Sequence, residues 1–382
     1  MAEKLTDEQI EAACREALVN SLGAPDSDVS RARERNLDFY NAEPVGELAP
    51  PEIEDRSDFV ATDVGDTVDG MLPSLMRMFV GSDDAVTFEG QGQPGSEEQG
   101  KLATAYVNHV FYVRNDGVGI THDWFKDALL QKVGFVQVWA EEEADDSKQK
   151  YGGQTQEQLL MLLQDGWELD GEPQADDHGL LTFTVVKKAK RRAIRVQAIA
   201  PAEMRVDVNA RWGGEPAMMG RQFGRRRYEL EQDGYDLSDV NSAAPSMSDS
   251  AMLAELGETD DFTYSVPDAS HEEVDYAEVF IKLDRDGDGV AEWLKVCLVG
   301  GKLGMYQNGE TAIEQVDDHP YCWVCPIPRA HAFFGDCPAD RAVQPQRLRT
   351  RTIRAIEDNM LLTVNGRTYV NTAANVNIDD VL

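Results

Sequence analysis

The sequence predicts an α+β protein: a helical front, a β-rich middle and one long helix near the end. Three observations carry that expectation. Apolar residues recur at spacings of three and four as far as Lys132, the pattern switches to strand period from Gly134, and helical spacing returns after the stretch "CWVCPIPRAHAFFGDCP".

Thr6 and Gln9 form a capping box for the first helix, with Ile10, Cys14, Leu18 and Leu22 on one side and Gly23 as the stop. After the proline-rich "AEPVGELAPPEIEDRS", Val60, Val64, Val68, Met71, Leu75 and Met78 predict a second inner face, kinked or divided at Pro73. A helix over 96–114 places Ala103, Tyr106, Val107, Val110 and Phe111 inward, and another covers 120–132. Strand signals follow in "FVQVWAE", "LTFTVV", "AIRVQAI" and "MRVDV". Two acidic stretches, 141–180 and 241–270, read as insertions outside the core. The first carries a short helix, 159–163, capped by Thr155 and Gln158. No internal repeat or long heptad array is present.

The chain has 382 residues, enough for two or three domains. Its 36 Lys+Arg against 70 Asp+Glu leave a net charge of −34, which argues against gripping phosphates and suits a surface past which a polyanion slides. There is no apolar run of membrane-spanning length, and the N-terminus lacks the pattern of a signal peptide, so a soluble protein of cytosolic origin is expected. An odd count of cysteines, 5, reads as reduced thiols.

"KLDRDGDGVAEWLKV" resembles a calcium loop. Asp284, Asp286, Asp288 and Gly289 fill the first ligand and turn positions, but Lys295 stands where the closing glutamate belongs. The flanks "DYAEVFIKL" and "EWLKVCLVGG" read as strands. The expectation is therefore a turn between antiparallel strands, with a weak structural calcium closed by Glu292 as the metal-binding reading. Cys322, Cys325, His331 and Cys337 have zinc-compatible spacing, but their proline- and aromatic-rich setting favours a packed, metal-free loop. Around Gly301-Lys302 in "VCLVGGKLG", Val296 and Leu303 stand where a phosphate-binding loop needs glycine and serine or threonine. No nucleophile elbow, H-E-x-x-H or dinucleotide fingerprint occurs, so no catalytic site is expected.

In "PADRAVQPQRLRTRTIRAIEDNMLLTVNGR", Leu348, Thr352 or Ile353, Ile356, Met360 and Val364 form an apolar side, and Asn365-Gly366 marks the end. Residues 339–354 hold five arginines against one aspartate, a local surplus of four positive charges. Arg347, Arg351 and Arg354 share another side. In so acidic a chain they are expected to meet carboxylates of the same or a neighbouring subunit instead of DNA.

Together, "RARERNLDFYNAEP", "DRSDFVATDVGDTVDGMLPSLMRMFVGSDDAVTF", "FKDALLQKVGFVQVWAEEE", "AIAPAEMRVDV", "DRDGDGVAEWL" and "HAFFGDCPADRAVQPQRLRTRTIRAIEDNMLLTVNGR" resemble, in order and spacing, the portal (head-to-tail connector) proteins of short-tailed bacteriophages. The resemblance implies a homo-dodecameric ring at the capsid vertex of the virion, assembled in the host cytoplasm, through which DNA is packaged and ejected without sequence recognition. Implied partners are the terminase large subunit, capsid or scaffolding protein and tail adaptors. The implied layout is an N-terminal helical segment, 1–45, and a wing, helical over 46–133 and β-rich over 134–337. A stem helix over 338–365 and the start of a clip over 366–382 follow. No cofactor is implied. The alternative is a metal-dependent enzyme or calcium-binding module built on Asp284, Asp286 and Asp288.

Overall fold

The structure, a computed structural model, describes residues 4–364 apart from 26, 52–55, 82–83, 91, 93–94, 145–146, 165, 172, 176–180, 188–189 and 239–268. Most of the second acidic stretch, the Asn365-Gly366 stop and the expected clip start at 366–382 lie outside the described residues. The chain forms two compact units, one made of Met1–Ala85, Val118–Val136 and Ala198–Leu382, the other of Val86–Gly117 and Gln137–Gln197.

In the first unit, α1 (Asp7–Val19) starts at the expected box. The Gln9 N–H donates to the Thr6 hydroxyl (3.3 Å) and the Thr6 N–H to the Gln9 side chain (2.9 Å). Ile10 and Cys14 are buried against the central sheet. Leu22 lies beyond the helix and exchanges backbone hydrogen bonds with Val206. Gly23 follows with φ +85°, and a Cβ there would sit 2.7 Å from the Met204 carbonyl oxygen, so this close backbone approach requires glycine.

The central sheet is antiparallel, in the order β11 (Lys302–Leu303), β10 (Glu292–Val299), β9 (Glu273–Leu283), β8 (Met218–Arg226), β7 (Met204–Val206), with β12 (Ile313–Val316) also on β10. Alternate residues of β9 and β10, including Val279, Ile281, Leu294, Val296 and Leu298, cover α1. The opposite face buries Met219, Phe280 and Trp293 with Phe135, Tyr321 and Phe333.

Beside the sheet, α2 (Asp28–Asn41), α3 (Asp63–Phe79), α5 (Gly117–Gln131) and the last helix, α8 (Pro338–Val364), enclose a second core of Leu37, Phe39, Val64, Val68, Leu72, Leu129, Ala339, Ala342 and Val343. Pro73 neither divides α3 nor ends it. Met71 and Met78, expected inside, are exposed, while Leu72 takes the inner position. The packed line is Val64, Val68, Leu72, a strict four-residue ridge, whereas the expected series drifted off it.

In the second unit, α4 (Ser96–Asn108) gives way to a π-helical turn, His109–Arg114, so the expected single helix changes hydrogen-bond pattern at Asn108. Tyr106, expected inside, is exposed. Asn115 holds the turn by donating to the carbonyls of Val110 and Ile194, both at 2.9 Å. The stretch expected to be an insertion has a core of its own. β2 (Ser147–Gln154), β3 (Glu168–Leu169) and β4 (Gln174–Ala175) all pair with β5 (Leu181–Lys187), and α6 (Gln156–Gln164) packs Leu159 on Phe183 and Val185. Its acidic side chains hid this from composition, because a three-residue core suffices at this size only when the strands also pair.

Candidate functional site

The last helix begins at a buried charge centre. Cys337 precedes Pro338, and the Asp340 carboxylate accepts from the Cys337 N–H (3.1 Å), which is the reciprocal half of a capping box. The same carboxylate takes the Lys132 ammonium (2.5 Å), the Arg35 guanidinium (3.2 Å) and the Asn36 amide (3.2 Å). Burial alone would raise the Asp340 pKa, but the Lys132 ammonium and the Cys337 amide outweigh it and hold the carboxyl below its ordinary value. One side chain thus ties α2, the end of α5 and the start of α8 together.

Further along α8, the inward line is not the apolar one. Ala339, Ala342, Val343, Gln346 and Thr350 are buried, whereas Leu348 (69% exposed), Ile356 (53%), Met360 (61%) and Val364 (79%), expected to pack, face outward. The physical reason lies in the neighbouring backbone. Thr62 places no side-chain cap on α3, so its first amides need acceptors from elsewhere. Gln346 supplies one, accepting from the Val64 N–H (2.8 Å) while donating to the Phe39 carbonyl (2.8 Å). Thr350 accepts from the Ala61 N–H (3.1 Å). Asp358 accepts from the Ser57 N–H and from Arg56, both at 2.9 Å, and these bonds hold its pKa below the ordinary value. A polar line that caps a partner helix therefore buries in preference to the apolar stripe.

The arginines flank this line. Arg347 pairs with Glu47. Arg354 donates to the backbone carbonyls of Phe59 (2.7 Å), Leu48 (2.7 Å) and Ala49 (3.3 Å), fixing the segment before α3. Arg351 is exposed and makes no ion pair among the described residues. Arg349, which sequence reasoning did not single out, bonds Asp63 at 2.7 Å. With Leu48, Ala49, Thr350 and Asp358, the three arginines border a depression of about 320 Å³.

The aspartate-rich loop joins β9 to β10 as an antiparallel hairpin, Leu283 opposite Glu292, as the strand-like flanks require. Asp284, Asp286 and Asp288 offer oxygens within 4.8 Å of one another. Loop amides already use them: Asp284 accepts from Gly287 (2.7 Å) and Gly289 (2.9 Å), and Asp288 from Val290 (2.6 Å). Glu292 is the first residue of β10, and Lys295 pairs with Glu278 (2.7 Å) across the ladder. Among the described residues this is the one acidic, histidine or cysteine cluster of metal-binding size. Cys337 and Cys325 are buried, Cys322 and His331 exposed, and burial pushes the Cys337 thiol up to about 12.

A family model described as the phage SU10 portal protein matches residues 10–382 of this chain. The chain belongs to that portal family. No curated protein matches it. The portal subunit is accordingly a bacteriophage capsid component, a head-to-tail connector of the genome-packaging machinery, and its family is structural and not enzymatic. The match lends no support to a metal-dependent enzyme or a calcium-binding module. No described helix is long and apolar enough to cross a membrane.

Proposed function

We propose that this portal subunit assembles into a twelve-membered ring at the capsid vertex of the virion, a passive channel for DNA entry and exit. The ring also docks the terminase large subunit, capsid or scaffolding protein and tail adaptors. The observation that carries the reading is the exposed apolar surface of α8: Leu348, Ile356, Met360, Leu361, Leu362 and Val364 are all exposed in the single chain. So much clustered apolar surface on one long helix calls for a cover, and like helices of neighbouring subunits provide one. In this reading α8 is the stem helix. The net charge of −34 lets the phosphate backbone slide without sequence recognition.

Replacing Ile356 and Met360 together by aspartate is expected to abolish large assemblies in mass photometry while leaving circular dichroism of the monomer unchanged, because both side chains are exposed there. Normal assembly by that variant would remove α8 from the contact. A cation at the Asp284 loop is structural in this reading, and calorimetric titration is expected to give a calcium dissociation constant weaker than about 10⁻⁴ M, since the strong closing glutamate is lacking.

A further inference from the structure

Between β11 and β12, residues 305–311 form a small hairpin closed by a bridge between Met305 and Thr311. The Gly309 N–H donates to the Tyr306 carbonyl (2.8 Å) and the Tyr306 N–H to the Glu310 carbonyl (2.9 Å), while Gly309 has φ +83°. This is the three-residue loop in which a turn ends on a left-handed glycine. Asn308 and Gly309 are its exposed tip. Asparagine followed by glycine is the pair most prone to spontaneous deamidation, because a glycine without Cβ lets its nitrogen approach the asparagine side chain.

Here the reacting atoms are held. Asn308 Oδ1 accepts from the Glu310 N–H (3.0 Å), and Asn308 Nδ2 donates to the Glu310 carboxylate (2.9 Å). The attacking nitrogen is held as well, because the Gly309 N–H is given to Tyr306. Deamidation starts when solvent hydroxide takes that proton and the Gly309 nitrogen attacks Asn308 Cγ. The Cγ–Nδ2 bond breaks, Nδ2 leaves as ammonia with a proton from water, and a five-membered succinimide remains. Water then opens either ring carbonyl to give aspartate or isoaspartate. Ring closure swings the Asn308–Gly309 peptide out of the turn, so these hydrogen bonds must open first.

We propose that Asn308 is a deamidation site of this chain and that Glu310 is the residue that restrains it. The product undoes the hairpin. Aspartate lacks the Nδ2 donor and sets a second carboxylate against that of Glu310, and isoaspartate also lengthens the backbone by a methylene, so the turn no longer closes. The damage reaches the core, because Tyr306 stacks on Tyr235 with ring centroids 4.8 Å apart, and Tyr235 is buried with Leu230, Tyr276 and Cys297. The Gln307 N–H is also bonded to the Gly234 carbonyl (2.9 Å). A capsid component is made once and not replaced within its particle, so such a change accumulates with age.

The test compares deamidation of the full 382-residue chain, folded and in guanidinium chloride, for the native protein and for Glu310→Ala. Peptide mapping by mass spectrometry follows Asn308 during incubation in mildly alkaline buffer, and the other such pair, Asn365-Gly366, falls on a separate peptide. The ratio of unfolded to folded rate cancels the intrinsic effect of the neighbouring residue. The native ratio is expected to be about tenfold or more, since the turn must open before the ring can close. Glu310→Ala, folded by circular dichroism, is expected to lower that ratio by about threefold, the effect of losing one exposed hydrogen bond. A native ratio near one, or an unchanged ratio in the variant, would overturn the restraint. No product at Asn308 in the unfolded chain would overturn the site itself.

Discussion

Asp340→Ala is expected to destabilise the protein by about 3–5 kcal/mol, the cost of leaving a buried countercharge alone. The Asp340 and Lys132 side chains are only 13% and 12% exposed, so water cannot replace the lost carboxylate. The Lys132 ammonium would then have no anion, and the Cys337 N–H at the start of α8 would lose its acceptor. Lys132→Met should cost less, because Arg35 still neutralises the carboxylate at 3.2 Å. The pH dependence has a definite sign. The folded-state pKa of Asp340 is depressed, so its contribution is fully present above the ordinary carboxyl value near 4 and is lost as pH falls through the lower folded value. The gap between native and Asp340→Ala midpoints in urea should therefore narrow below about pH 4. A gap that is constant from neutral to acid pH would show that the carboxylate is not the interacting species.

Gln346→Leu is expected to cost about 2–4 kcal/mol, although it exchanges a polar for an apolar residue at a buried position. The native amide satisfies two backbone groups, the Val64 N–H and the Phe39 carbonyl, and leucine leaves both buried and unpaired. Thr350→Val adds the loss of the Ala61 acceptor. The exposed Leu348→Ser, on the outer side of the same helix, should stay within about 0.5 kcal/mol. Denaturant midpoints of the three variants check the ranking. A reversed order would mean that the apolar side is the packed one after all.

That reversal of faces shows where the sequence was legible and where it was not. The α1 capping box, the β9–β10 hairpin and the start of α8 could be read directly, because each is specified by residues within a few positions of one another. The inward face of α8 could not. Periodicity registers apolar residues, and here the buried positions are short or polar apart from Val343, with Gln346 and Thr350 serving the backbone at the start of α3, while Leu348, Ile356, Met360 and Val364 are exposed in the single chain. α2 carries no clear apolar stripe in the sequence, since Arg33 and Asn36, both buried, look like surface residues there. Asn36 is inside because it reaches the Leu130 carbonyl (3.0 Å) as well as Asp340. The Asp340 centre did leave a local signal, an acid three residues after Cys337 with proline between, which matches a helix start. Its partners Lys132 and Arg35 are distant in sequence, and only the fold brings them together.

Of the arginine trio, Arg347 and Arg354 are both engaged within the chain, Arg347 with Glu47 and Arg354 with backbone. The bonds of Arg354 to the Leu48, Ala49 and Phe59 carbonyls make it a brace for the segment leading into α3. An assembly test that altered Arg354 would mix folding with association. Arg351, exposed and without an intrachain ion pair among the described residues, separates the two.

Negative-stain imaging of the purified chain near micromolar concentration tests the central claim most directly. The account predicts closed rings with a central hole, and class averages with twelvefold symmetry. Monomers or compact globular particles across that concentration range, from protein folded by circular dichroism, would contradict it.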